Sequence, residues 1–249
     1  MQFSHLHNHS QFSLLDGASK ISSMFKKAKE DNMPAVAITD HGNMFGVFQF
    51  VAEAAKQGVK PIVGCEFYLV NDRHKQVFTK ELKDKRYHQL FLAKNPEGYQ
   101  NLVKLSSLGF MEGMYSKYPR IDKELVLKYH KGLIATTCCL GASVPQAILR
   151  DGEEVAEKEF KWWLDLFGED YYIEVQNHFI PEQQTVNEVL LRFAKKYNVK
   201  VIASNDSHYL DQKDANAHDI LLCINTGEKQ ATPTYKDIEG DFDMKGKRF

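Results

Sequence analysis

The feature that most constrains this chain is a series of short apolar runs that end in metal-binding residue types. Runs at residues 35–38, 60–63 and 200–203 are typical of strands buried on both faces. Segments with apolar residues at helical spacing lie between them. This alternation of strand and helix predicts an α/β fold built on a parallel sheet.

The predicted strands are at residues 2–6, 35–39, 60–70, 89–93, 133–137, 171–176 and 200–204. Residues 71–86 are polar and charged and are predicted to be a loop or hairpin tip. Residues 110–121 contain glycine and tyrosine and are predicted to be a loop. The result is seven β/α units. Candidate ligands follow six of the seven strands, which favours a closed barrel, because an open sheet places its site mainly at one switch point. No glycine-rich phosphate loop follows a strand, which disfavours a nucleotide-binding fold.

Composition sets wider limits. A length of 249 residues with 43% hydrophobic residues suits one large domain or two small ones. We predict a barrel domain over residues 1–225 and a polar linker over 226–249. The net charge of −1 argues neither for nor against nucleic acid. Four cysteines without a spaced pair, and no leader-like or membrane-spanning run, predict a soluble, cytoplasmic chain without a membrane partner.

Two of the polar segments are the most informative about chemistry. His7 and His9 are two residues apart, so in extended chain they face the same side and can chelate one ion. By itself this pair is equally typical of a solvated loop. Glu66 lies within an otherwise apolar run, and a buried glutamate requires a cationic partner. A carboxylate that bridges two metal ions would satisfy both of its oxygens.

The remaining candidates each have a structural alternative. Asp16 precedes a glycine and would also suit a turn, and His41 would also suit an exposed loop. His88 alone is more typical of a satisfied core histidine, and the cysteines 138 and 139 of small apolar fillers. Asp206 and His208 follow the last predicted strand. Three alternating residues could orient the ligands from behind: Glu174, Gln176 and His178.

Several motifs together resemble the polymerase and histidinol phosphatase (PHP) domain family. They include residues 3–10, 13–17, 37–42, 61–66, 92–95, 119–122 and 205–209. The stretches Leu-Leu-Asp-Gly at 14–17 and Pro-Arg-Ile-Asp at 119–122 resemble the branch found at the N-terminus of bacterial replicative DNA polymerase III alpha subunits. Histidinol phosphatases are not expected to carry these two stretches.

The resemblance implies a distorted seven-stranded β/α barrel with three divalent metal ions at one rim. Zinc is the first expectation, with manganese or iron as alternatives. The choice of Cys139 over Cys138 rests on the Leu140–Gly141 pair that follows. Carried over motif by motif, the family's nine ligands fall on His7, His9, Asp16, His41, Glu66, His88, Cys139, Asp206 and His208.

The functional hypothesis is hydrolysis of phosphodiester bonds at a DNA 3′ end, as a proofreading 3′–5′ exonuclease. Glu66 would bridge two ions, Asp206 and His208 would act beside them, and Arg120 would grip a DNA phosphate. The expected partners are DNA, polymerase domains of a longer parent chain, and a separate exonuclease subunit among other replication proteins. Two rival hypotheses are a non-catalytic metal-stabilised scaffold and a small-molecule phosphomonoesterase.

Overall fold

A computed structural model of the chain describes residues 3–79 and 82–232. The strands in these ranges are β1 Ala35–Ile38, β2 Lys60–Val70, β3 Tyr87–Ala93, β4 Met114–Tyr115, β5 Tyr118–Asp122, β6 Leu133–Thr136, β7 Tyr171–Val175 and β8 Val201–Ala203. The α-helices are α1 Ile21–Glu30, α2 Val47–Gln57, α3 Pro96–Glu112, α4 Lys123–Tyr129, α5 Ser143–Arg150, α6 Glu153–Phe167, α7 Pro181–Tyr197 and α8 Ala215–Thr226.

The strands form a closed ring in the order β1, β2, β3, β6, β7 and β8. Residues 5–9 close the gap between β8 and β1. The Ala37 N–H donates to the His5 carbonyl on one side, at 2.9 Å. On the other side the His9 N–H donates to the Ser207 carbonyl, at 2.8 Å. With this segment the ring has seven members, so the predicted seven-stranded α/β barrel is confirmed.

The details differ from the prediction in three places. Residues 3–6 of the predicted first strand pair with their neighbours but form no regular strand. β3 runs antiparallel to both β2 and β6, because the connection over 71–86 contains no crossover helix among its described residues. The predicted loop at 110–121 contains the β4–β5 hairpin, and β5 extends the sheet along the far end of β2.

Local sequence explains several helix boundaries. The Asn95 side chain accepts a hydrogen bond from the Gly98 N–H at 2.9 Å, and Pro96 occupies the first turn. These two features explain why α3 begins at Pro96. The Asp122 side chain caps α4 in the same way. Gly58, in a left-handed conformation, ends α2.

The helices bury their apolar faces against the outside of the ring. The larger core joins α3 to α7 with β2, β3 and β7, and centres on Phe91, Phe160 and Trp163, all fully buried. A second core packs α1 and α2 on β1. Inside the ring lie small or aliphatic residues such as Ala37, Leu90 and Leu92. This packed interior leaves the rim as the place for polar groups.

The predicted boundary at 225/226 falls at the end of α8. Residues 233–249 of the predicted linker lie outside the described residues, so its extent stays a prediction. In the ranges 3–79 and 82–232, every helix is too short or too polar to cross a lipid bilayer.

Candidate metal centre

The nine predicted ligands lie at one rim of the barrel, although they come from strands of different direction. His41, Cys139 and Asp206 follow β1, β6 and β8, where these parallel strands end. His88 is the second residue of β3, and because β3 is antiparallel its beginning lies at this same rim. Glu66 lies within β2, level with His41, because β2 continues beyond the rim to pair with β5.

The loop over residues 10–19 brings Asp16 over the rim. The Ala18 N–H donates to the His208 carbonyl at 2.7 Å, which ties this loop to the segment after β8. A Cβ atom at Gly17 would lie 2.0 Å from the Ser10 carbonyl oxygen. The loop therefore requires glycine next to Asp16, because a larger side chain at residue 17 would push the backbone away from Ser10.

The Glu66 carboxylate is the centre of the cluster and is fully buried. Its Oε1 lies 2.9 Å from His88 Nδ1. Its Oε2 lies 2.8 Å from His41 Nδ1 and 3.0 Å from His9 Nε2. The two oxygens thus face different sets of donors, as a carboxylate does when it bridges two cations.

Asp206 faces the two histidines of the first segment. Its Oδ1 lies 3.3 Å from His7 Nε2 and 3.1 Å from His9 Nε2. With Glu66 these side chains form a four-residue group whose ligand atoms all lie within 4.8 Å of one another. The group offers two imidazole nitrogens and two carboxylate oxygens, a donor set that suits a divalent transition metal or zinc.

A second group lies at the open side of the rim. Asp16 Oδ2 is 2.8 Å from His41 Nε2 and 3.4 Å from His208 Nε2. The His208 Nδ1 is 2.8 Å from the Asp206 carbonyl oxygen, which leaves the other ring nitrogen directed at Asp16. These three residues match the predicted third metal position.

The third group contains sulfur. Cys139 Sγ lies 3.4 Å from Glu66 Oε1 and 3.5 Å from His88 Nδ1. The adjacent Cys138 Sγ lies 3.3 Å from the same glutamate oxygen. The structure therefore places both cysteines at the cluster.

Five buried ligand atoms make no hydrogen bond of acceptable geometry. Buried polar atoms almost always have a partner, and an orphaned one costs roughly 1–3 kcal/mol. Each of them lies 2.8–3.3 Å from another ligand atom of the cluster, but none of these pairs has the geometry of a hydrogen bond. The donors therefore fit metal ions, and the five atoms are His7 Nε2, His9 Nε2, His41 Nδ1, Glu66 Oε2 and Asp206 Oδ1.

A second layer of buried groups orients the ligands. Glu174 Oε1 lies 2.7 Å from His7 Nδ1, so His7 presents Nε2 to the cluster. Ser13 Oγ lies 2.9 Å from His9 Nδ1 and donates to Asp40 Oδ1 at 2.9 Å. Glu174 was expected in this role from its alternation with apolar residues. Ser13 and the role of Asp40 as its acceptor were missed, because no spacing pattern connects two residues that meet only through the fold.

Charges in the cluster shift one another's pKa. Burial opposes ionisation of Glu66, but His88, His41 and His7 outweigh it and hold the pKa of this carboxyl well below its usual range. Burial lowers the pKa of His41, and Glu66 with Asp16 raises it to a net value of about 9. Burial, His41 and His208 instead lower the pKa of His9. The carboxylates of the cluster thus favour positive charge beside them, and a divalent cation would supply that charge.

The structure does not bring Arg120 to this cluster, which corrects the expectation that it grips a DNA phosphate. Arg120 lies in β5, not in a loop, and is fully buried. Its guanidinium donates to the Gly113 carbonyl at 2.8 Å, to Asp84 at 3.1 Å and to the carbonyls of Arg73 and Lys75. These partners occupy it as a buried structural cation, so we remove it from the candidate catalytic residues.

Comparison with known proteins agrees with this geometry. The profile of the PHP domain family matches residues 5–178. The DNA polymerase III subunit alpha of Borreliella burgdorferi is 46% identical over 92% of this chain and 20% of its own length. The same subunit of Thermus aquaticus is 47% identical over 90% of this chain and 18% of its own length. The chain therefore spans about a fifth of the length of these relatives.

Solved structures support the fold. A Bifidobacterium adolescentis protein provisionally named a metal-dependent phosphoesterase matches 83% of this chain and 88% of its own, with TM-score 0.52 and 16% identity. An amidohydrolase from Chromobacterium violaceum, with bound sulfate and no metal, matches 83% of this chain and 87% of its own, with TM-score 0.53 and 16% identity. The family profile covers well over half of the sequence, including seven of the nine clustered side chains, and the chain therefore belongs to the PHP domain family.

Proposed function

We propose that this chain is a metal-dependent phosphoesterase that releases nucleotides from a DNA 3′ end, a 3′–5′ exonuclease activity suited to proofreading. The observation that carries the proposal is the set of five buried, unpartnered ligand atoms around Glu66. DNA as substrate is supported by the relatives named DNA polymerase III subunit alpha.

The donors would hold three divalent ions, and Glu66 would bridge the first and the second. The first would take His7, His9, Glu66 and Asp206, and the third would take Asp16, His41 and His208. The second would take Glu66 with His88 and Cys139. Imidazole and thiolate donors favour zinc, with manganese or iron as alternatives. When bound, such ions supply a water of lowered pKa and positive charge against the scissile phosphate.

The exposure of the ligands defines a floor and an opening. The side chains of His7, His9 and Glu66 are 0% exposed, and those of His208 and His88 are 20% and 31% exposed. A substrate phosphate therefore reaches the site over the rim, past the partly exposed residues. The carboxylates at the site would repel a phosphate unless cations were bound, which is why we assign the activity to the metal-loaded chain.

The proposed catalytic residues are Glu66, Asp206 and His208. Asp206 has the left-handed φ of +48°, which turns its carboxylate back towards His7 and His9. Non-glycine residues rarely adopt this conformation, and such strain is concentrated at functional sites. His208 is 20% exposed beside the carboxylate of Asp16, where it can orient a bound phosphate or move a proton.

The proposed partners follow from the length of the relatives. They are DNA, polymerase domains of a longer parent chain and, within the replication assembly, a separate exonuclease subunit. A cytoplasmic location also stays a prediction.

Metal analysis combined with nuclease assays tests the proposal. The chain is loaded with zinc or manganese, its bound metals are measured, and it is incubated with 3′-labelled single-stranded and mismatched primer DNA. A sugar-phosphate ester is assayed in parallel. We expect release of single nucleotides from the 3′ end, with little cleavage of the ester.

Asp206→Asn is the test variant, because it removes the charge that faces His7 and His9. Asp165→Asn is the matched control, because Asp165 is exposed on α6 outside the barrel. Activity lost in the first variant and kept in the second supports the proposal and excludes a contaminating nuclease. Bound metal without turnover would favour a scaffold, and cleavage of the ester alone would favour a phosphomonoesterase.

A further inference from the structure

Cys138 is not among the nine predicted ligands, yet its side chain is buried, at 2% exposure, and lies beside Glu66 in the ligand cluster. Its Sγ lies 3.3 Å from Glu66 Oε1. The same oxygen lies 3.4 Å from Cys139 Sγ and 2.9 Å from His88 Nδ1. One carboxylate oxygen therefore contacts two thiols and one imidazole.

These distances match those between the ligands of a single ion. With bonds of about 2.0–2.3 Å, the ligands of a tetrahedral zinc ion lie ~3.3–3.8 Å apart. Cys139 Sγ to His88 Nδ1 is 3.5 Å, and the ligand atoms of Glu66, Cys138 and Cys139 all lie within 4.8 Å of one another. Three donors, from Cys138, Cys139 and His88, thus lie within 3.4 Å of one Glu66 oxygen, close enough to bind one ion together with it.

The backbone explains how two adjacent residues reach one point. In an extended strand, consecutive side chains point to opposite faces. Cys138, just after β6, instead has a left-handed φ of +58°. Its N–H donates to Thr136 Oγ1 at 3.0 Å, and Thr136 Oγ1 in turn donates to Glu174 at 2.6 Å. These hydrogen bonds hold Cys138 in a conformation that non-glycine residues rarely adopt.

We propose that Cys138 and Cys139 bind the same ion, together with His88 and Glu66, as a four-coordinate site for a thiophilic divalent cation such as zinc. The proposal rests on the metal binding in the proposed function and deepens it. Binding releases the proton of each thiol to solvent and forms two metal–sulfur bonds. With four protein ligands this position is closed, so it stabilises the rim and leaves hydrolysis to the other two positions.

Cadmium binding to the unmodified chain gives the first test, because it requires no substitution that could affect folding. The chain is loaded with one equivalent of Cd²⁺, and X-ray absorption counts the sulfur neighbours of the ion. Two sulfur neighbours are expected. One sulfur neighbour overturns this inference and leaves the proposed function standing, whereas the absence of any bound ion overturns both.

Cobalt substitution gives the second test. Thiolate-to-cobalt absorption in the near ultraviolet scales with the number of thiolates, so Cys138→Ser and Cys139→Ser are each expected to halve it. Cys223→Ser is the matched control, since Cys223 is a buried cysteine on α8 with no place in the clusters of candidate ligands. Full intensity in Cys138→Ser would show that Cys138 only donates a hydrogen bond to the Cys139 thiolate, and would refute the proposal.

Discussion

Glu174 is predicted to control metal affinity although it does not face the ions. Its buried carboxylate accepts a hydrogen bond from Thr136 Oγ1 at 2.6 Å and another from Gln176 Nε2 at 3.1 Å. The same carboxylate lies 2.7 Å from His7 Nδ1. Glu174→Gln keeps the size of the side chain. It replaces one carboxylate oxygen by an NH₂ group, so one of the groups that now donates to Glu174 loses its acceptor, because a carboxamide has only one accepting end.

The size of the effect follows from the lost orientation of His7. Loss of the group that orients a ligating histidine typically weakens metal binding about 10–100-fold, which is about 1.4–2.7 kcal/mol. Burial lowers the pKa of His7, but the carboxylates of Asp206, Glu174 and Glu66 outweigh burial and raise this pKa above its usual value. Protons therefore compete with the metal ion for His7. The zinc titration is therefore performed at one fixed, mildly alkaline pH for both chains, where this competition is weaker than at neutral pH.

Competition with a chromophoric chelator measures the affinity, and the melting temperature of the metal-free protein verifies folding. Glu154→Gln is the matched control, since the Glu154 side chain is 86% exposed on α6 and pairs only with Lys158. The reasoning would be refuted if folded Glu174→Gln bound zinc within threefold of the unsubstituted chain.

Three further predictions concern stability. Because the pKa of His41 is raised from 6.5 to about 9, its contribution is complete below pH 6.5 and lost as the pH rises through 9. Chemical denaturation of the metal-free chain should show a loss of about 3 kcal/mol over this range, and saturating zinc should abolish the loss. Arg120→Met removes the donor to three backbone carbonyls and to one oxygen of the buried Asp84, whose other oxygen keeps Arg86, and should lower the free energy of unfolding by about 3–5 kcal/mol. If it abolished DNA cleavage in a folded protein, the structural role would be wrong. Gly98→Ala places a Cβ 1.8 Å from the Gly132 carbonyl oxygen and should lower the melting temperature by more than Gly109→Ala, on the same helix, where the nearest atom would lie 3.4 Å from the Cβ; equal melting temperatures would contradict this.

Sequence reasoning located the ligands because each one interrupts a pattern. Glu66 stands out in an apolar strand, and His7 and His9 stand out by their spacing. The direction of β3 is not encoded in its own residues, since the same apolar run suits either direction. The polar, charged composition of residues 71–86, which predicts a loop or hairpin tip, was the signal that β3 returns antiparallel to β2.

The misassignment of Arg120 has a different cause. Its motif resembled a loop with a basic residue, which is usually exposed. Its burial depends on Asp84, on the Gly113 carbonyl and on two carbonyls near residue 74, all of which reach it only after β2, β4 and β5 have assembled. Ser13 likewise acquires its role from contacts with His9 and Asp40 that no local pattern predicts.

The pairing of residues 5–9 with Ser207, which closes the barrel and is here called the seam, has a consequence for how the chain folds. It joins segments about 200 positions apart, and such distant contacts form late because the entropy of the whole intervening chain opposes them. His7 and Asp206, which flank this seam, meet only when the ring is complete. An ion that requires both residues would bind a finished barrel and not a partly synthesised one, so metal uptake would report that folding has ended.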